Sequence, residues 1–450
     1  MSYTTFNADT GNTNTSINVT GLINNRYYQF KVSAINSEGV GLPAETISVA
    51  PRIAPNAPTN VVVSAGNAEV IVSWTASNLN GGSAIAGYKV EYAVSPYSTW
   101  SIAVASTTST THTVTGLTNG NSYKFRVTGT NQFVTGPTSE LSSAVTPTTF
   151  SATGGTITTY TLSSVNYKVH TFLYDENNDT DGQTTYTFTV TGSKAVDFLI
   201  VAGGGSGGGD NGGGGGAGGV LYYGQETPNN GAQRQITSGN YTVKVGKGGL
   251  ARQGNYGQVN ASVANDGYNS SITIGTTYEA TGGGAGGVGD SNKMAGRLGG
   301  SGGGGGGEGS GGTGGAGVSE QGNAGGSGGF AAGGGGGGGA GGAGENYRND
   351  GTKLGGDGGI GVEYNIRTGT NQWYAAGGTA GGENNRHSTR SPISGIGGVP
   401  PYNASSSGVA TSGQNETGSG GGGYTAFAQP VNGYYGGHGG TGIVVIRYVV

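Results

Sequence analysis

Val196-Asp197-Phe198-Leu199-Ile200-Val201-Ala202-Gly203-Gly204-Gly205 decides the fold, because within ten residues the chain passes from one kind of structure to another. Apart from Asp197, residues 196–201 are apolar, as in a strand buried on both faces. Glycine then takes over. The far end mirrors this passage: Gly439-Gly440-Thr441-Gly442 leads into the apolar Ile443-Val444-Val445-Ile446-Arg447-Tyr448-Val449-Val450. A chain that enters glycine from one strong strand and leaves through another implies a β base that carries the glycine region. Other strand-like pieces complete that base, which is expected from 151–201, 241–245, 271–274 and 443–450. Within it, Tyr167–Tyr174 and Thr184–Val190 flank the polar turn Asp175–Gly182.

The glycine itself is ordered in sequence. Of 102 glycines in 450 residues, 12 fall in the first 150 positions and 90 in the rest, which places a domain boundary near residue 150. Gly-Gly-x triplets recur at 215–220, 283–288, 311–316, 325–330, 355–360 and 436–441. A three-residue repeat matches an extended left-handed helix of three residues per turn, rising ~3.1 Å per residue. If such helices pack side by side, the faces in contact can carry only hydrogen, and backbone N–H and C=O groups bond between helices. The variable third position is then expected to face outward, and the unbroken tracts 302–307 and 333–339 to be surrounded on all sides. A flexible linker needs no such register, and Gly-Gly-x with little proline is not collagen.

Upstream, residues 58–147 alternate as short strands. Val70, Val72 and Trp74 share one face, Tyr88, Val90 and Tyr92 share the next, and Ser122–Val127 alternates again. About seven strands in this length is the arithmetic of a β-sandwich. Gly21-Leu22-Ile23-Asn24-Asn25-Arg26-Tyr27-Tyr28 recurs 95 residues later as Gly116-Leu117-Thr118-Asn119-Gly120-Asn121-Ser122-Tyr123. With Trp74, Tyr88 and the closing Pro147, these residues resemble tandem fibronectin type III domains. The resemblance implies that Tyr123 and Tyr28 each bond back to upstream backbone. Residues 1–51 hold only the C-terminal half of such a domain, with no counterpart of the Trp74 or Tyr88 strands. A longer chain, or another subunit, is expected to supply the rest, the first being preferred. The expected class is all-β: fibronectin type III sandwiches at 1–51 (half) and 58–147 (complete), then a glycine-rich domain at 151–450 with a β base and packed polyglycine II helices.

Composition excludes several functions. No cysteine is present, so disulfide scaffolds, thiol catalysis and cysteine-bound zinc are out. Four histidines (His112, His170, His387 and His438) are too few and too scattered for a histidine-built site. A net charge of −4, with 20 basic residues dispersed singly, offers nucleic acid no footprint. No apolar run reaches the ~20 residues of a membrane helix, and no signal peptide is visible. Asn177-x-Asp179-x-Asp181-Gly182 fits the start of a calcium loop, but position twelve is Phe188. A polar hairpin turn is the preferred reading. Gly-x-Ser-x-Gly at 299–303 is a chance match in a glycine tract. Carboxylates are too sparse for a paired-carboxylate cleft. No enzyme, cofactor or metal site is expected.

The passage 196–205, the strand Tyr241-Thr242-Val243-Lys244-Val245-Gly246-Lys247-Gly248-Gly249 and the ending 439–448 resemble the glycine-rich receptor-binding adhesins of phage long tail fibres. The resemblance implies a brick of polyglycine helices whose joining loops contact the host receptor. Those loops would be 345–354, 362–376, 383–394, 399–417 and 424–435. Their candidate receptor-binding residues are Tyr347, Arg348, Tyr364, Asn365, Trp373, Tyr374, Asn385, Arg386, His387, Tyr402, Tyr424, Phe427, Tyr434 and Tyr435. Aromatic faces beside amide and guanidinium donors suit sugars or exposed protein loops; the competing role for these rings is to cap the brick. The partners implied are a host-cell surface receptor (a glycan or an outer-membrane protein), other tail or fibre subunits, and further copies in a homotrimer. The implied location is the virion, in a tail fibre or tail tip, without membrane insertion. The alternative is a bacterial extracellular surface or matrix protein.

Overall fold

The computed structural model describes the chain except residues 1–3, 8, 252, 255–264, 290–294, 308, 331–332, 383–393, 401–409 and 425–433. It forms two compact units, Met1–Thr149 and Phe150–Val450.

In the first unit, alternation builds a two-sheet sandwich. Thr59–Ala65, Glu69–Thr75 and Thr111–Thr115 form one antiparallel sheet, and Thr135–Thr138, Tyr123–Asn131, Ile85–Val94 and Ser101–Thr107 form the other. The inward positions make the core, including Val70, Val72, Trp74, Tyr88, Val90, Phe125 and Val127. The Trp74 and Tyr88 rings meet edge to face at 5.5 Å. Thr118 N donates to the Tyr123 hydroxyl at 3.0 Å, and Ile23 N donates to the Tyr28 hydroxyl at 2.9 Å. The tyrosine corner is therefore made in both copies. In the first copy Lys31–Val32 pairs with Ala44–Glu45, Ile35–Asn36 pairs with Gly39–Val40, and Tyr28 bridges to Val49. Its apolar side chains are left in solvent: Leu42 is 96% exposed and Ile47 82%.

The second unit rests on two antiparallel sheets packed face to face. One runs Ser151–Thr153, Gln183–Thr191, Gly239–Gly246, Ser270–Ile274, Thr276–Ala280. The other runs Thr156–Leu162, Val165–Leu173, Ile443–Val449, Lys194–Val201, Val220–Tyr223. The last strand of the chain thus lies inside its sheet, pairing Val201 with Ile443 and Leu173 with Ile443. Phe172, Phe188, Phe198, Ile200, Val243, Ile272, Val444 and Ile446 fill the space between the sheets. Each such side chain stabilises the fold by ~1.5–3 kcal/mol. A second cluster, on the outer face of the Ile443–Val449 sheet, packs Leu199, Val201 and Val445 against the Val362–Tyr364/Gln372–Tyr374 hairpin.

Strands continue directly into glycine. Lys194–Val201 runs on as 202–208, 212–219 precedes Val220–Tyr223, 281–289 follows Thr276–Ala280, and 436–442 precedes Ile443–Val449. Polyglycine II helices are not seen as elements here: the tracts carry neither helix nor strand. A helix bonds within itself and a strand bonds alternately to the neighbour on either side, whereas successive tract residues turn to three neighbours in rotation. The amides of Gly212, Gly215 and Gly218 donate to Tyr424, Gly421 and Gly418, at 2.8 Å in each case. Those of Gly213, Gly216 and Gly219 donate to Gly287, Gly284 and Thr281, and those of Gly214 and Ala217 to Gly335 and Gly338. The three-residue register read in the sequence is thus present as a rotation of backbone bonds among three neighbouring segments. These bonds satisfy donors that would otherwise be orphaned in a buried slab.

Close approach explains the glycine. A Cβ at Gly204 would overlap the Ser419 carbonyl oxygen, and one at Gly304 the Gly335 carbonyl oxygen. Tracts 302–307 and 333–339 are buried throughout. The variable position does face solvent at Thr313 and His438, but Ala217 and Ala285 are fully buried. The outward expectation is corrected there, because the slab has several layers and a methyl group fits where a neighbour leaves room.

Candidate functional site

The backbone network places the connections of the slab at two ends. At the end away from the sheets, Gly289 N donates to Asp210 O at 2.7 Å, Gly307 N to Asn211 O at 2.8 Å and Gly212 N to Tyr424 O at 2.8 Å. Around this Asp210–Asn211 turn gather tract ends that lead into 290–294, 308 and 425–433. The candidate residues Asn385, Arg386, His387, Tyr402 and Phe427 lie outside the described residues, and of Tyr434 and Tyr435 only the backbone is described, as a short strand paired with Gln253–Gly254. Sequence reasoning left out 252–264 and 290–294, which also lie between glycine-containing segments of the sequence; their Asn, Asp and Tyr content was the available signal.

Among described far-end residues, Tyr347 is buried, its ring lying where a Cβ on Gly329 or Gly333 would fall. Arg348 pairs with Glu345, and its Nη2 lies 3.4 Å from Asp357 Oδ2. Donation to the Glu345 carboxylate holds the guanidinium above its ordinary pKa. Tyr424 is 2% exposed.

The 362–376 segment departs most from expectation. It turns at the sheet end of the slab, not beside 345–354. Tyr364 and Tyr374 are 3% and 1% exposed. Tyr364 stacks on Tyr222 with ring centroids 4.6 Å apart, and its hydroxyl donates to Pro228 O at 2.7 Å. Burial raises the pKa of both Tyr364 and Tyr374. Tyr347, Tyr364, Tyr374 and Tyr424 are thus buried, and the Tyr364 and Tyr374 rings pack in the cluster with Leu199, Val201 and Val445. Trp373 and Asn365 are half-buried.

Asn365 belongs to a buried polar cluster. Arg447 Nε donates to Asp197 Oδ2 at 2.9 Å, and its Nη1 donates to the Tyr160 hydroxyl at 2.8 Å and to Asn365 Oδ1 at 2.9 Å. Arg447 Nη1 also lies 3.0 Å from Glu226 Oε1, while Asn365 N donates to Glu226 Oε2 at 2.7 Å. The guanidinium sits 4.8 Å from the Tyr167 ring centroid. Burial opposes its charge, but the bonds to Tyr160 and Asp197 outweigh that and raise its pKa above the ordinary value. A residue-scale signal existed: one acid and one base, Asp197 and Arg447, each interrupt an otherwise apolar strand, and the register pairs them. The cluster fastens the 224–231 loop and the 362–374 hairpin to the sheet.

The Asp175–Gly182 segment is a hairpin. Asp179–Thr180 pairs with Gln183–Thr184 across Asp181 and Gly182, both with positive φ (54° and 83°), as a two-residue Asp-Gly turn requires. Asp179 accepts from the Tyr174 hydroxyl at 2.7 Å and from Gly182 N at 2.7 Å. Ser301, of the Gly-x-Ser-x-Gly match, is fully buried within a tract.

Comparison with known proteins is consistent with both units. A family model for the fibronectin type III domain matches residues 56–146. A Kelch domain-containing protein of Saccharolobus solfataricus is 40% identical over 76 residues, 17% of this chain and 10% of that protein. Exoglucanase A of Cellulomonas fimi is 35% identical over 147 residues, 32% of this chain and 16% of the enzyme. This chain thus spans only a small part of either relative. Among solved structures, the FN1–FN3 domains of chicken CNTN1 are 14% identical over 50% of this chain and 71% of that one (TM-score 0.24). Domains A168–A170 of titin are 28% identical over 27% of this chain and 41% of that one (TM-score 0.24). The family model of the glycine-rich domain matches residues 179–449, more than half of the sequence, and the chain belongs to that family.

Proposed function

We propose that this chain is an extracellular adhesion protein of a phage tail fibre or tail tip. Fibronectin type III modules act as spacers, and the glycine-rich domain displays receptor-binding segments at the end of its slab away from the sheets. The observation that supports this reading is the gathering of described tract ends around Asp210–Asn211, at one end of a bonded scaffold. Adhesion needs no chemistry. A rigid scaffold lowers the entropy lost on binding, and repetition supplies avidity. The receptor would be a glycan or an outer-membrane protein, with other fibre subunits, including further copies in a trimer, as assembly partners. The second reading is a bacterial surface or matrix protein in which the slab is structural; burial of Tyr347, Tyr364, Tyr374 and Tyr424 as packing residues favours it.

Two measurements separate these readings. Immunogold labelling with antibody against 345–435 is expected at tail or fibre tips with bare cells; gold on cell surfaces with bare virions would sink the phage reading. Replacing 383–393 by a glycine-serine linker is expected to abolish cell binding by the purified chain without changing its melting temperature. Unchanged binding would remove that segment from the receptor site.

A further inference from the structure

At the sheet end of the slab, the end opposite Asp210–Asn211, lies a groove of about 590 Å³. Its walls are the Pro228–Gly231 loop, the Glu320–Asn323 turn and the Val362–Tyr364 strand, and Val220 and Ala340 form its floor. The walls are built rather than draped. Asn230 Nδ2 donates to Glu320 O at 3.0 Å, while Asn230 Oδ1 accepts from Tyr222 N at 2.8 Å. Asn323 Nδ2 donates to Gly339 O at 2.8 Å. The loop and the strand are joined by the bond from the Tyr364 hydroxyl to Pro228 O, and both are fastened to Arg447 through Glu226 and Asn365. The pre-organisation that lowers the cost of binding is therefore present, and the volume lies within the range of small-molecule sites.

The chemistry of the lining selects the ligand class. The lining carries apolar Val220, Ala340 and Val362, four neutral amides and one carboxylate, Glu320, and no lining residue is cationic. Asn230 and Gln321 spend both ends of their amides on bonds within the protein, so Asn229, Asn323 and Glu320 are the polar groups that face a ligand's hydroxyls. Phosphate and acidic peptides find no counter-charge there. A ring with an apolar C–H face and hydroxyls at its edge matches floor and rim together. We propose that this groove binds a short neutral oligosaccharide. The site rests on the adhesion reading only for the source of the sugar, a host-cell glycan.

The test uses the full chain on an array of neutral and acidic glycans, followed by saturation-transfer NMR with the neutral compounds retained. Asn229→Trp, at an exposed position on the rim, is expected to weaken binding by about tenfold or more. Glu320→Gln is expected to weaken it several-fold, and Thr187→Trp, on a distant exposed strand position, to leave it unchanged. Backbone amide shifts of Asn230 and Asn323 on titration report the same site in the unmodified chain, should Asn229→Trp fold poorly. No retained neutral glycan, retention of acidic ones alone, or binding indifferent to both rim substitutions would overturn the proposal. Cell binding that survives Asn229→Trp but not replacement of 383–393 would count against the groove while keeping the adhesion reading. Absence of cell binding by the unmodified chain would remove that reading and leave the array result to decide the groove alone.

Discussion

At the residue scale, His170 shows how a buried polar group is tuned by its place in the fold. It is fully buried; its Nδ1 lies 2.7 Å from Gly154 O and its Nε2 3.1 Å from the Tyr448 hydroxyl. The carbonyl can only accept, so Nδ1 carries the proton and Nε2 accepts from the tyrosine. Burial lowers the pKa of His170, and burial also pushes the Tyr448 hydroxyl up to about 12. With the folded value depressed below the unfolded one, the folded state binds fewer protons. Its stability is therefore complete above the unfolded pKa of about 6.5 and is lost as pH falls through and below it. The melting temperature of the glycine-rich unit should decline on acidification below about pH 6.5, and His170→Phe should flatten that slope even while lowering the plateau. An unchanged slope in the variant would assign the acid sensitivity to other groups. At this same scale the sequence was readable where a residue type has one use. Trp74, Tyr88 and Tyr123 declared their sandwich, and the Tyr28 corner forms even in a half copy. The Asp197–Arg447 pair was missed because its members stand 250 residues apart.

At the scale of elements, strands were legible because alternation and apolar runs encode burial directly, as at Val196–Val201 and Ile443–Val449. The hairpin Val362–Tyr364/Gln372–Tyr374 was read as an exposed loop, since aromatic residues among polar ones describe a binding loop and a cap equally well. Only packing against Leu199, Val201 and Val445 distinguishes them. In the glycine tracts the three-residue register was visible, but which tract bonds to which was not, because glycine has no side chain to record its neighbour. Bond rotation makes tract positions unequal in a way that can be measured. Gly304→Ala places a methyl against the Gly335 carbonyl in a buried tract and should destabilise the unit by about 1–3 kcal/mol or more. Thr313→Ala, at an exposed variable position, should stay within about 0.5 kcal/mol of the parent. Equal effects in denaturant unfolding would contradict the packed arrangement.

At the scale of the whole molecule, composition alone separated an ordinary β-rich third from a glycine-rich remainder, and the two compact units divide at the same place. What composition could not reveal is that the described glycine tracts are bonded to one another instead of serving as linker. That property underlies every functional statement made above, since only an ordered slab can hold segments at one end and a groove at the other. Amide hydrogen exchange of the full chain, followed by NMR, tests it most directly. Gly213–Gly216 and Gly303–Gly305, whose amides donate to Gly287, Gly335, Gly421, Gly284, Arg297, Gly214 and Gly326, should exchange as slowly as Leu199 and Val445 in the β base. Exchange of those glycine amides at the rate of an unstructured peptide, with the base still protected, would show the tracts to be linker and would contradict the account.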